Sequence, residues 1–287
     1  MTAVETRPLA TGALALRPIS LDELNAAAAL QRRVDRKYAL RREELGDVLA
    51  GLDRDARVLE IDGERRSRYE SVYFDTPDLT SYLLAARGRR RRFKVRTRSY
   101  VDVGTSFLEV KTRAGRSVTV KERIAYDGAD AAELTPEGAA YAASVFAEVG
   151  IDAPGRPLEP VLTTAYRRTT LLLADGASRA TIDVDLAWID HGDHEHFGRR
   201  LELPDLVIVE TKSVGGAGEL DRLLWANGHR PASISKFGTG LAALRPGLPH
   251  NKWSRVLRRH FDPGAIRPTD ARTGVHDTTH APTRRTR

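Results

Sequence analysis

Five separate stretches of this chain place Lys, Arg, Glu, Asp or Thr at alternating positions inside runs that otherwise read as β-strands. They are Arg33-Val34-Asp35-Arg36-Lys37, Lys94-Val95-Arg96-Thr97-Arg98, Glu109-Val110-Lys111, Lys121-Glu122-Arg123 and Arg179-Ala180-Thr181-Ile182-Asp183. Side chains of a strand alternate between its two faces, so each stretch sends charge to one side. One such strand is an ordinary solvated face. Several in one chain constrain the fold further, because a sheet closed into a barrel collects them about a single cavity. The expected fold class is therefore α+β, a closed antiparallel β-barrel with peripheral helices. A cavity lined mostly by cations, with few carboxylates, suits a polyanion that carries a metal.

Composition is compatible with this. Of 287 residues, 41% are hydrophobic and 30% charged, enough apolar content for a packed core. The formal net charge of +7 favours an anionic partner without separating nucleic acid, membrane surface and phosphorylated small molecules. With no cysteine, disulfides, thiolate zinc sites and thiol catalysis are excluded. No apolar run approaches the roughly 18 residues of a membrane-spanning helix, and the N-terminal residues lack the basic-then-apolar order of a signal peptide. A cytoplasmic location is expected.

Residues 1–18 read as a flexible leader, 19–261 as one body and 262–287 as a disordered tail. Ser20-Leu21-Asp22-Glu23 has the form of a capping box opening a helix that runs through the Ala-rich stretch to Leu30. Arg33–Leu40 reads as a strand and Arg42–Leu52 as a short helix. Ser71–Thr76 is strand-like and stopped by Pro77, which is expected to open a helix carrying Leu79, Leu83 and Leu84. Arg92–Tyr100, Thr105–Arg113 and Ser117–Tyr126 form a predicted meander, followed by a helix over Pro136–Val149. Val161–Leu173 and Ser178–Ile189 form a hairpin across Asp175-Gly176, and Phe197–Leu203 with Leu206–Lys212 another. Gly218–Asn227 and Ile234–Leu244 are expected to be helical.

The charged positions differ in what they imply. Arg89–Arg91 fall where a turn belongs and read as solvated, although an arginine-rich patch beside Phe93 also fits a nucleic-acid binder. Lys94, Arg96 and Arg98 alternate with Val95 and Thr97 and share one face. Glu109 with Lys111, and Lys121 with Arg123, read either as cross-strand pairs on an open face or as continuations of that cavity. Tyr166, Arg168 and Arg179 offer hydroxyl and guanidinium donors to phosphate oxygens. Glu210 ends the apolar run Leu206–Val209 beside Lys212, where a carboxylate needs a cation or a hard divalent metal. His191-x-x-His194-x-His196 lies among Gly and Asp and reads as a loop. There is no Walker-type loop and no dinucleotide-binding glycine fingerprint.

Taken in order, these segments resemble the VTC domain, the polyphosphate-polymerase branch of the triphosphate tunnel metalloenzyme superfamily. The motifs are Arg33-Val34-Asp35-Arg36-Lys37-Tyr38, Ser71–Thr76, Phe93–Arg98, Leu108–Lys111, Lys121-x-Arg123, Tyr166-x-Arg168, Arg179-x-Thr181-x-Asp183, Val209–Lys212 and Ser233–Leu241. Asp35 stands where the family more often has Glu. Arg33 occupies the position of the first Glu of the hydrolase branch, a departure from the pattern of a CYTH-type triphosphatase.

The resemblance implies an antiparallel tunnel in which the γ-phosphoryl of a nucleoside triphosphate such as ATP passes to a growing polyphosphate chain. By this carry-over, Lys94, Arg96, Lys111, Arg168, Arg179 and Lys236 form the catalytic set. Lys37, Arg98, Lys121, Arg123, Tyr166, Lys212 and Ser235 bind phosphates, and Glu210 holds Mn²⁺ or Mg²⁺. The alternatives are an inorganic triphosphatase using water as acceptor and a module that holds polyphosphate without turnover. Nucleic acid is not an expected partner, and coupling to export would require a separate membrane partner protein.

Overall fold

The computed structural model describes residues 11–27, 33–113, 119–152, 154–192 and 198–268. The strands are β1 (Arg17–Ile19), β2 (Arg33–Arg41), β3 (Arg57–Leu59), β4 (Ser67–Asp75), β5 (Arg92–Tyr100), β6 (Thr105–Arg113), β7 (Thr119–Tyr126), β8 (Glu159–Leu172), β9 (Arg179–Asp190), β10 (Arg199–Leu203), β11 (Leu206–Val214) and β12 (Ile266–Pro268). The helices are α1 (Thr11–Leu14), α2 (Leu21–Ala27), α3 (Arg42–Ala50), α4 (Thr80–Ala86), α5 (Pro136–Glu148), α6 (Glu219–Ala226), α7 (Lys236–Leu244) and α8 (Ser254–His260).

The main sheet runs β2-β11-β9-β8-β4-β5-β6-β7, with every neighbour antiparallel. Among the described residues no ladder joins β7 to β2, so the sheet is open and the expected closed barrel is corrected to a curled sheet. Lys37 and Lys121 lie on these two edge strands and line the same cavity. The two edges therefore face each other across the cavity, with charged side chains from both between them, and not through a backbone ladder.

The β5–β6–β7 meander and the β8–β9 hairpin form as the patterning predicts. The second expected hairpin does not. β10 and β11 both pair with the same edge of β9, β11 along Arg179–Asp183 and β10 along Leu186–Ile189. Between the two partners β9 carries an extra residue against β8, with Asp185 at φ 53°. That bulge turns the strand, so one long strand serves two partners, a choice that the local sequence of β10 and β11 does not contain.

Smaller expectations also shift. The predicted leader already contains β1, which pairs parallel with β3, and buries Ala13. The predicted tail contains β12, which pairs with β10 as far as Pro268. Pro77 does not open α4, whose first turn instead rests on the buried Asp75 carboxylate accepting from the backbone of Ser81 and Tyr82. Arg36 falls out of phase with its neighbours and bonds Asp221 on the outer face, where Tyr38 also donates to Asp221 at 2.7 Å. The Ser20–Glu23 capping box is present, and the extension of α2 to Leu30 lies outside the described residues.

Helices cover the outer face: α3 and α6 over β2, β9 and β11, and α5 over β4, β5 and β6. α7 packs against the inner face. Its Gly238 and Gly240 leave no room for a Cβ, which would lie 2.4 Å from Trp253 and 2.2 Å from Trp188 respectively. Glycine costs a helix about 1 kcal/mol relative to alanine. Here it allows α7 to approach closely enough for Trp188 to donate to the Lys236 carbonyl at 2.9 Å. Lys236 and the capping Ser235 thereby stand at the cavity.

Candidate functional site

Beyond the first turn of α7 the inner face turns from apolar to charged. A cavity of about 220 Å³ is lined there by nine cationic side chains and three carboxylates. β5 contributes Lys94, Arg96 and Arg98, β6 Lys111 and Glu109, β7 Lys121, and β8 Tyr166 and Arg168. β11 supplies Glu210 and Lys212, β2 supplies Lys37 and Asp35, and Ser235 and Lys236 come from the start of α7. The registers explain the convergence: Lys94, Lys111 and Lys121 stand opposite one another, as do Glu210 and Lys37.

Within this set the ion pairs are uneven. Arg96 gives two bonds to one Glu109 oxygen, at 2.8 and 2.6 Å, and donates to the Tyr73 hydroxyl at 2.9 Å. Lys121 reaches the other Glu109 oxygen at 2.7 Å. Burial pushes Glu109 up, but Arg96, Arg98 and Lys121 outweigh it and hold the carboxyl at about 2. Asp183 is buried and takes a two-pronged bond from Arg168 at 2.6 and 2.8 Å, with Lys236 as a further donor. Burial opposes the Asp183 charge, yet Arg168 and Lys236 keep its carboxyl well below the usual range.

Glu210 is held differently. Its nearest cations are Lys37 at 3.5 Å and Lys212 at 3.7 Å. Burial again raises and cations lower its pKa, which settles at about 2. The carboxylate is therefore ionised but not saturated by short hydrogen bonds. Among the described residues no group of three His, Cys, Asp or Glu could hold a metal. The protein would offer a hard cation Glu210, with Asp35 opposite Lys212 in the register, and phosphate oxygens would have to complete the shell. That donor set suits Mg²⁺ or Mn²⁺ arriving with a phosphorylated substrate, since such ions commonly take one or two carboxylates and the substrate's own oxygens.

Lys94 donates to the Ser235 hydroxyl at 2.8 Å, and among the described residues no carboxylate forms an ion pair with it. Burial first, then Lys37, Lys111, Arg96 and Lys252, pulls its pKa well below that of an ordinary lysine. Lys111 is lowered too, chiefly by burial. An anion bound among these cations would relieve that mutual repulsion and favour their charged forms. The arrangement is a strongly electropositive cavity, nine cations around three carboxylates.

Two expected site residues do not line the cavity. Arg123 shares its face, but its guanidinium lies 4.6 Å from the centre of the Phe107 ring, beyond the lining residues. Arg179 donates to the Leu24 carbonyl of α2. Alternation fixed the face of both residues. It could not fix how far along the tunnel each stands or which neighbour claims it. Tyr73 was missed as a site residue, because what brings it in is its register opposite Arg96, which only the structure gives. His194 and His196 lie outside the described residues.

The VTC domain family matches residues 32–245, most of the chain, and the chain belongs to that family. Solved structures with a similar arrangement include HpAC1 from Hippeastrum, named as an adenylyl cyclase with a dominant triphosphatase activity. It is 15% identical, the match covering 77% of this chain and 100% of that one with a TM-score of 0.45. A protein from Bacillus halodurans named as an adenylate cyclase is 12% identical, over 71% of this chain and 94% of that one, also at 0.45. No curated protein matches the sequence. Among the described residues no helix is long and apolar enough to cross a membrane.

Proposed function

We propose that this chain is a polyphosphate polymerase. A terminal phosphate oxygen of the growing chain attacks the γ-phosphorus of a nucleoside triphosphate such as ATP. The bond from the γ-phosphorus to the β,γ-bridging oxygen breaks, and nucleoside diphosphate leaves with that oxygen. The observation that carries this reading is the excess of cations over carboxylates around one cavity, in a member of the VTC domain family.

Little covalent chemistry is asked of the protein, because phosphoryl transfer is accelerated mainly by positioning and by stabilising charge on the phosphoryl oxygens. Arg96 is held rigidly by Glu109 and Tyr73, and Arg168 by Asp183. Both are therefore oriented before substrate arrives. Lys94, Lys111 and Lys236 supply further donors from three elements and hold donor and acceptor phosphates in line. Lys37, Arg98, Lys121, Lys212, Ser235 and the Tyr166 hydroxyl would bind the remaining phosphates. Burial raises the Tyr166 pKa, but Arg168, Arg98 and Lys236 bring it below the usual phenol value. A divalent cation held by Glu210 would neutralise charge shared between β- and γ-phosphates. An acceptor phosphate already ionised near neutral pH needs no general base.

The test is incubation with ATP and Mn²⁺ or Mg²⁺, with the products resolved on a gel stained for long polyphosphate. Chain growth that Glu210→Ala abolishes is expected. Orthophosphate release without growth would reassign the site to hydrolysis, and ligand binding with no turnover would make it a binding module.

A further inference from the structure

The two ends of the cavity are chemically different. Toward the start of β5 and the end of β6 it adjoins a second cavity whose charged lining is wholly cationic, including Arg92, Arg113 and Lys252. Toward the opposite ends of the same strands, aromatic rings cross the inner face in a row. Tyr166 stacks on Tyr69 with centroids 5.3 Å apart and planes at 9°. Tyr69 meets Tyr100 at 5.0 Å, and Tyr100 meets Phe107 edge-on at 5.9 Å. The row is continuous with the phosphate site, since Tyr166 and Arg168 line the cavity while the Arg168 guanidinium also lies 5.2 Å from the centre of the Tyr69 ring.

We propose that this aromatic row, ending in Tyr100 and Phe107 with Arg123 laid over it, is the stacking platform for the base of the nucleoside triphosphate. This deepens the polymerase reading and rests on it for the triphosphate. Bases stack on aromatic rings and on guanidinium planes whatever their hydrogen-bonding edge, so the platform is tolerant of base identity. Tyr100 and Phe107 are only partly buried, and the exposed Arg123 guanidinium lies over the Phe107 ring, so a base would enter over Tyr100 and the Arg123 plane. The aromatics at the other end, Phe93 and Trp253, are each 2% exposed and are committed to Phe146 and Tyr82. The same asymmetry orients the substrate. With the base at the Tyr100 end, the γ-phosphate points inward past Arg96, and the polyphosphate acceptor occupies the end lined by Arg92 and Arg113. Arg123, expected from the sequence to bind phosphate, takes the role of a base-stacking residue.

The experiment compares two ligands on the full chain, β,γ-imido ATP and inorganic tripolyphosphate, by calorimetry in Mn²⁺ and in its absence. It adds fluorescence of 2-aminopurine riboside triphosphate, which is quenched by stacking. Expected for Tyr100→Leu and Phe107→Leu is about 10-fold weaker nucleotide binding, within the range for loss of one stacked base, with tripolyphosphate affinity changed less than about 2-fold and the quench lost. Arg123→Gln should weaken nucleotide and spare tripolyphosphate in the same way. Wild-type protein that binds tripolyphosphate but leaves the fluorophore unquenched overturns the platform alone. Equal loss of both ligands in each variant overturns it too, by making the residues merely structural. Failure of both ligands to bind wild-type protein overturns the polymerase reading and the platform together.

Discussion

Glu109 and Glu210 line one cavity, and each is held at a pKa of about 2 by burial opposed by stronger cation attraction. Their surroundings are nevertheless opposite. Glu109 has a side chain 2% exposed and is gripped by Arg96 and Lys121 at 2.6 and 2.7 Å. Glu210 is 19% exposed and faces two lysines no nearer than 3.5 Å. The pKa of a carboxylate reports how strongly its charge is favoured, not whether its oxygens are available. Glu109 spends its charge fixing Arg96, whereas Glu210 retains oxygens with no short ion pair. Asp183 belongs with Glu109, since Arg168 and Lys236 occupy it.

The sharpest way to break this contrast is to neutralise each acid in turn. Glu210→Gln should cut chain growth by about 10²- to 10³-fold, the size of losing one transition-state charge contact, while the urea midpoint stays close to wild type. Glu109→Gln should instead lower unfolding stability by about 3 kcal/mol, because Arg96 is left buried without its counter-charge. If Glu210→Gln unfolds the protein and Glu109→Gln does not, the two roles are reversed.

The next effect concerns acid. Both glutamates lie below their ordinary 4.5 in the folded state, so the unfolded chain binds more protons between pH 4.5 and 2. Their contribution to stability is complete above about pH 4.5 and is lost as pH falls toward 2. Thermal midpoints measured from pH 6 to pH 2 should fall across this window, and Glu109→Gln should flatten the fall more than any substitution on the outer face.

Lys94 gives a smaller, opposite signature. Its pKa is depressed by burial and neighbouring cations, and a bound polyanion favours its charged form. Tripolyphosphate binding should therefore take up protons, read by calorimetry in buffers of different ionisation enthalpy. The uptake should diminish in Lys94→Met. The smallest effect is expected at Arg179, which is directed to the Leu24 carbonyl. Arg179→Gln should change chain growth by less than about 3-fold, and a 100-fold loss would return it to the catalytic set that the sequence suggested.

Much of this site was legible beforehand because alternation along a strand is a local property. Val95 and Thr97 had to face away from Lys94, Arg96 and Arg98, and the structure buries both on the outer side. Ser235 and Lys236 were identified only through the order of motifs, since nothing local in Ser233–Leu241 announces that two glycines will let the helix press against Trp188 and Trp253. The partner exchange of β9 was not legible at all. It depends on an extra residue at Asp185 and on which strand arrives at each half of a twelve-residue edge.

The sequence by itself determined which side chains share a face, because the pleat of a strand leaves no other choice. It also determined that cations outnumber carboxylates at those alternating positions. Only the tertiary structure decided whether the sheet closes, how far along the tunnel each cation stands, and which carboxylates are already engaged. Those outcomes depend on distances between segments remote in the chain, and a difference of about 1 Å in ion-pair separation distinguishes an acid that anchors an arginine from one that can accept a metal.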